Sequence, residues 1–309
     1  MQPGVVELLR SDARRPGIRR PLLSAALIAI GLGLAAVAVL GPFVTGMVEY
    51  RVTETLRNQT IGLDAVSLFI VAPMCLVGAL LVLRGHVAGA AMALGIGSYT
   101  AYMFVQYILG PEYARLAGNN ERTFPLDLAL FAAGWMVALA GWNAFDVEAV
   151  PRSRRRERRL GRVVLPALAF LAFFRYVPAL ADAMSSTPRD EGYRVGRSFF
   201  WAIAMLDLGV VLPATVAACV GLVRGTPWAQ RALYLVVGWF GLVGPAVAAM
   251  VIAMYVNDDP NASGANAVFM TLLGVLFTAL AVAVYRPLAG VRAPGVLERR
   301  AGRTGNSAP

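Results

Sequence analysis

The residues of this chain best suited to chemistry are the charged ones buried in apolar sequence. Arg175 stands in "FLAFFRYVPAL" and Asp207 in "LDLGVVLPATVAACVGLVRG". Each lies eight residues inside its apolar run, about 12 Å along a helix at ~1.5 Å per residue. An ionised side chain at that depth costs several kcal/mol unless it is paired. The two runs are consecutive, so Arg175 and Asp207 are expected to form an intramembrane ion pair. That pair either clips two helices together or lines a solute or ion site. A second polar line accompanies it in "GSYTAYMFVQYILGPEY". There Tyr99, Tyr102, Gln106 and Tyr113 recur at helical spacings and form one stripe. Tyr107 and Tyr113 also fit an interfacial aromatic belt, whereas Tyr99 lies too deep for one. Arg175, Asp207, Tyr99, Tyr102 and Gln106 are the expected substrate or ion pathway. Its expected rim is Asp64, Glu112, Asp127, Arg197, Trp201 and Asp258, with Asp64 at the interface and in touch with water.

These residues need elements that cross a bilayer. The 309 residues are 58% hydrophobic and only 15% charged, against about 25% charged in a typical soluble domain. The expected fold is an all-α polytopic membrane protein with eight transmembrane helices. The spans are 22–46, 63–83, 87–109, 125–145, 163–183, 199–223, 231–256 and 267–285, each long enough for a core of roughly 30 Å. The first is read as a span and not a cleaved leader, because it is long and lacks a small-x-small site. The organisation is then a basic cytoplasmic segment 1–21, helices 1–4 over 22–145, and an Arg-rich cytoplasmic loop at 146–162. Helices 5–8 follow over 163–285, and then a basic, disordered tail, 286–309.

All 28 basic residues are arginine. With the N-terminus inside, 20 of them fall on the inner side and seven on the outer, a bias that places both termini in the cytoplasm. The absence of lysine, with abundant Ala and Gly, suggests a bacterial source and the cytoplasmic (inner) membrane. The net charge of +10 therefore reflects topology and gives no reason to expect nucleic acid. "PRSRRRERRLGR" (151–162) is expected to lie against anionic headgroups.

The stretch "LDAVSLFIVAPMCLVGALLVLRG" (63–85) resembles 206–225. Both set a proline eleven residues before an Arg-Gly pair, Pro73 before Arg84 and Pro213 before Arg224. Since they are spans 2 and 6, a parallel repeat of four plus four helices is expected. The alternative is two proline-containing spans that converged on the same turn. In that register Ser67, not Asp64, matches Asp207. Gly89, Ala93, Gly97 and Ala101 form a small-residue ridge that could receive a second copy or a partner subunit. Span 7 has a comparable line in Gly238, Gly241 and Gly244.

Cofactors and metals are not expected. One histidine, His86, and two cysteines within apolar runs, Cys75 and Cys219, make no ordinary haem, zinc or di-iron site. "NDDPNAS" (257–263) clusters carboxylates but lacks calcium-loop spacing. No phosphate loop, dinucleotide fingerprint or hydrolase elbow occurs. The expectation is a small-solute or ion transporter with an outward-facing polar site. A non-catalytic scaffold, sensor or accessory subunit stays open beside it. So does an enzyme acting on lipid at the outer face, though the residues lean away from catalysis.

Overall fold

The computed structural model describes residues 16–151, 153–174 and 176–292. Arg175, Arg152, the first fifteen residues and the tail beyond 292 lie outside the described residues, and so does the expected Arg175–Asp207 ion pair. Among the described residues there are no strands, and eight helices are long and apolar enough to cross a membrane. We number them α1 (Pro16–Leu40), α2 (Glu54–Leu83), α3 (Val87–Leu109), α4 (Asn120–Ala144), α5 (Arg154–Ala183), α6 (Arg197–Arg224), α7 (Trp228–Val256) and α8 (Gly264–Leu288).

The eight helices are those expected, but their boundaries move, and three of the shifts have plain physical reasons. α1 ends at Leu40 rather than residue 46, because Gly41 and Pro42 follow at once. α2 begins nine residues earlier than the apolar run, at Glu54, since "ETLRNQTIG" is helical. Its polar side chains Thr55, Asn58 and Thr60 are buried against protein and not lipid, which hydropathy cannot register. α5 begins at Arg154, inside the expected Arg-rich loop, where the Ser153 hydroxyl accepts the Arg156 N–H as an N-cap.

Proline sets the inner geometry of three helices. A proline has no N–H, and its ring excludes the carbonyl four residues back. Just before Pro73, Pro166 and Pro213 the chain widens into a π turn: Ser67–Val71, Leu160–Val164 and Asp207–Val211. In each, the residue preceding proline bonds five residues back, Ala72 to Ser67, Leu165 to Leu160 and Leu212 to Asp207. Ser67 and Asp207 thus open the same kind of turn at the same distance from proline.

The Arg-Gly turns after α2 and α6 also share one construction. Gly85 and Gly225 both take the left-handed conformation, φ +73° and +74°. The next N–H reaches back five residues, His86 to Leu81 and Thr226 to Gly221, closing the helix end. An arginine from the first turns of the helix before, Arg20 in one case and Arg154 in the other, occupies the space a Cβ would fill.

Helix α3 is the axis of the bundle. Of its apolar window 78% is buried, against 17% for α8 at the periphery. The ridge on α3 is filled within the chain. A Cβ on Gly97 would lie 2.5 Å from the Ala138 nitrogen and 2.6 Å from the Gly134 carbonyl oxygen. The α3 backbone therefore rests on α4, and the ridge cannot also receive a second copy. The line on α7 is filled in the same way, Gly241 by Ala281 and Gly244 by Gly274 and Phe277 of α8.

Loops meet on two opposite faces. On the arginine-rich face, Arg154 donates to the Leu222 and Arg224 carbonyls at the end of α6, and Arg156 to Ala283 and Val284 of α8. These cations satisfy carbonyls that a helix end leaves open. Beside them the buried Glu157 accepts from Gln230 of α7 at 2.7 Å. Arg155, Arg158, Arg159 and Arg162 remain exposed.

On the opposite face, the loop after α7 is tied to the first turns of α2 through Asp259. That carboxylate accepts from the Thr55 hydroxyl (3.1 Å), the Asn58 amide (2.8 Å) and the Asn261 N–H (2.9 Å). The rim residue expected here was Asp258, but it is exposed, with φ +50°. Its neighbour makes the contacts because the left-handed turn at Asp258 directs residue 259 inward. A carboxylate ringed by donors is a tether; a hard cation would need acceptors around it. Asp259→Ala is expected to destabilise the protein by about 2–3 kcal/mol, since it takes the acceptor from three donors, two of them on buried side chains. Asp258→Asn should leave the melting temperature nearly unchanged, because Asn tolerates the left-handed turn. Equal melting temperatures for the two variants would refute the tether.

Candidate functional site: two buried aspartates flanking helix α3

Helix α3 carries tyrosines to two carboxylates on different neighbours. On one side is Asp207 of α6, 7% exposed. The Tyr102 hydroxyl of α3 donates to its Oδ1 at 2.7 Å, and the Tyr176 hydroxyl of α5 donates to its Oδ2 at 2.6 Å. Hydrogen bonds of this length to a carboxylate are the strong, charge-assisted kind. The widened turn at Asp207–Val211 places the carboxylate where α3 and α5 converge on α6. Aromatic rings close the surroundings. Tyr102 stands edge-on to Trp239 of α7, centroids 4.9 Å apart. Trp239 meets Phe240, which in turn touches Phe173 of α5 and Phe277 of α8.

On the other side is Asp64 of α2. Because α2 starts at Glu54, Asp64 lies ten residues inside the helix and is 1% exposed. This corrects the expectation that it sits at the interface in water. The Tyr107 hydroxyl donates to its Oδ1 at 3.1 Å. Its Oδ2 has no hydrogen-bond partner among the described residues. It lies 2.7 Å from where a Cβ on Gly41 would be, so only glycine at that point of the chain admits the carboxylate. Tyr107 is therefore a buried partner of an aspartate and not a member of an interfacial belt.

No known protein family, curated protein or solved structure matches this chain.

The remaining candidates divide. Tyr99 is fully buried, deep in α3. Gln106 is buried and, with Tyr50, Thr60, Leu63, Tyr107 and Phe199, lines a small recess of about 10 Å³, the space of roughly one water. Tyr113 leaves the stripe. Its hydroxyl donates to the Ile108 carbonyl at the end of α3, and the ring is exposed.

Of the expected rim residues, Glu112 caps α6. Its Oε1 accepts the Ser198 N–H at 3.0 Å, in a helix whose own N-cap, Gly196, has no side chain to offer. Asp127 is buried where the 3₁₀ start of α4 passes into its α-helical part at Phe124, and it accepts from the Thr123 hydroxyl at 3.0 Å. Arg197 is exposed and lies over the Tyr193 ring, 5.3 Å from its centroid. Trp201, itself exposed, joins the same aromatic group with the half-buried Tyr193 and Phe200. Glu112 thus meets the residue next to Arg197, and the recess beside Gln106 is lined by none of Glu112, Asp127 and Arg197. Sequence reasoning missed Tyr176, Tyr107 as an aspartate partner, and Asp259. Tyr176 had a usable signal: it follows Arg175, at the depth that already matched Asp207.

Proposed function

We propose that this protein is a bacterial inner-membrane transporter for a small solute or ion. The observation that carries this reading is Asp207. It is a carboxylate deep in a spanning helix, held by tyrosines from two other helices in a π turn. Ionisable groups in spanning helices are rare and expensive and commonly mark pathways. Single π turns inside helices are frequent at functional sites. Tyr102 and Tyr176 would orient the carboxylate, and Gln106 would line the approach from the face opposite the arginines.

The architecture proposed with it is a parallel four-plus-four repeat with cytoplasmic termini. Its supports are the matched π turns before Pro73 and Pro213, and the two Arg-Gly closures with an arginine from the preceding helix. The small-residue packing of α3 on α4 and of α7 on α8 is a third. The exposed Arg155, Arg158, Arg159 and Arg162 suit anionic headgroups on the cytoplasmic side.

One observation favours a second reading, a non-catalytic scaffold, sensor or accessory subunit: the recess near Gln106 holds no more than about one water. A screen decides between them. The purified protein is heated with a panel of inorganic ions, amino acids, sugars and organic acids. A transporter is expected to gain several degrees of melting temperature with at least one class. At a ligand concentration 100-fold above Kd the gain corresponds to about 2.7 kcal/mol, and Asp207→Asn should lose it. A panel with no shift, together with unchanged solute uptake in cells lacking the protein, would favour the scaffold.

A further inference from the structure

We propose that Asp64 is a proton-binding site, reached from the recess through the Tyr107 hydroxyl. The proposal deepens the transport reading by naming a proton as the coupling ion; the site itself does not depend on solute movement. A buried carboxylate keeps its charge only when a cation or several donors compensate it. Asp64 is 1% exposed and receives one hydrogen bond, from Tyr107, while its second oxygen receives none among the described residues.

Among the described residues, the groups that face it supply no positive charge. From α3 these are the phenols of Tyr107 and Tyr99, and from the loop after α1 the phenol of Tyr50. Asp127 of α4 lies beyond Tyr50 and is itself acidic. From the chain just after α1 the Gly41 backbone lies against Asp64 Oδ2, and two residues before Asp64 on α2 Gly62 packs on the Ala249 backbone of α7; none of these is titratable. Asp207 differs in just this respect, with a strong donor on each oxygen. In this closed arrangement the chemistry that satisfies Asp64 is a proton on the carboxyl group.

The same geometry supplies a route. Tyr107 is common to the recess and to Asp64, since it lines the first and its hydroxyl bonds the second. Tyr50 packs edge-on against that ring, centroids 5.4 Å apart, and Phe104 stacks beside it, also at 5.4 Å, which fixes the hydroxyl's direction. A proton arriving on water in the recess passes to the Tyr107 oxygen while the phenolic proton passes to Asp64 Oδ1. The balance is one proton taken from the recess and one bound at Asp64, with Tyr107 neutral before and after. Release is the reverse.

The test reads the proton directly, by infrared spectroscopy of the full chain in lipid nanodiscs. The expected result is a protonated-carboxyl carbonyl band in the wild type at neutral pH that is absent in Asp64→Asn. Tyr107→Phe should shift that band by removing its hydrogen bond. A wild type without the band, or a band unchanged in Asp64→Asn, would overturn the proposal. If Asp64→Asn does not fold, Tyr107→Phe decides: a shifted band supports the site, and an unshifted one overturns it. Solute handling does not enter this readout. A band that behaves as expected in a protein that handles no solute would leave the proton site standing and remove the transport reading.

Discussion

Gly97→Leu is expected to abolish the folded, monodisperse protein and not merely trim its stability. A Cβ on Gly97 would meet the Ala138 nitrogen at 2.5 Å and the Gly134 carbonyl oxygen at 2.6 Å. Both are backbone atoms of α4 and cannot rotate away as a side chain could. Extra methylenes in a packed core cost about 1–3 kcal/mol when the neighbours can give. Here a leucine would have to push α3 and α4 apart along their length, and α3 is the axis of the bundle. Gly134→Leu should fail in the same way, since its Cβ would lie 2.6 Å from the Ala101 nitrogen. The control is Gly209→Ala, where nothing lies within 4 Å of the added carbon. Size-exclusion profiles and melting temperatures in detergent decide it. A Gly97→Leu protein that elutes and melts like the wild type would mean that α3 and α4 do not pack through this ridge.

Asp207→Ala should be the most damaging single change at the candidate site, at about 3–5 kcal/mol. It removes the acceptor from the Tyr102 and Tyr176 hydroxyls at once, in a region closed by aromatic rings. Tyr102→Phe and Tyr176→Phe each remove one donor and should cost less, about 1–2 kcal/mol. The informative comparison is non-additivity. In the Asp207→Ala background, changing both tyrosines to phenylalanine should restore some of the lost stability, because no hydroxyl then needs an acceptor there. Unfolding in mixed micelles measures the series. Strictly additive losses would show that the hydroxyls and the carboxylate do not act as one unit.

Most of the architecture was legible because a bilayer imposes it. A helix that faces lipid must be apolar for about twenty residues, and such runs can be read directly. The misreadings occur where a helix is surrounded by protein. Residues 54–62 look like a loop because Thr55, Asn58 and Thr60 are polar, but their environment is α7 and Asp259. Reading the start of α2 too late puts Asp64 at the surface, when it is 1% exposed.

The site was half legible for a similar reason. Helical spacing put Tyr102 and Gln106 on one face of α3. Spacing on one helix cannot say which neighbour a tyrosine reaches, so Tyr107, one position further round, was assigned to the membrane boundary. The ridge on α3 was visible, but its occupant was not, because Gly134 and Ala138 carry no mark of being the complement. Asp258 and Asp259 differ only by the turn between them, and no composition or period distinguishes two adjacent aspartates.

The π turns give the molecule a division of mechanical labour. Where an α-helix gives up its regular hydrogen-bond ladder before proline, it acquires a joint. The joints fall in α2, α5 and α6, the helices that carry Asp64, Tyr176 and Asp207. Helix α3 is a single α-helix from Val87 to Leu109, with neither proline nor π turn. The bundle is thus a rigid post with three jointed levers around it, and the post holds the tyrosines while the levers hold two carboxyl groups and the third phenol. A swing of α2 or α6 would change an oxygen–oxygen separation at the post, at Tyr107 or at Tyr102.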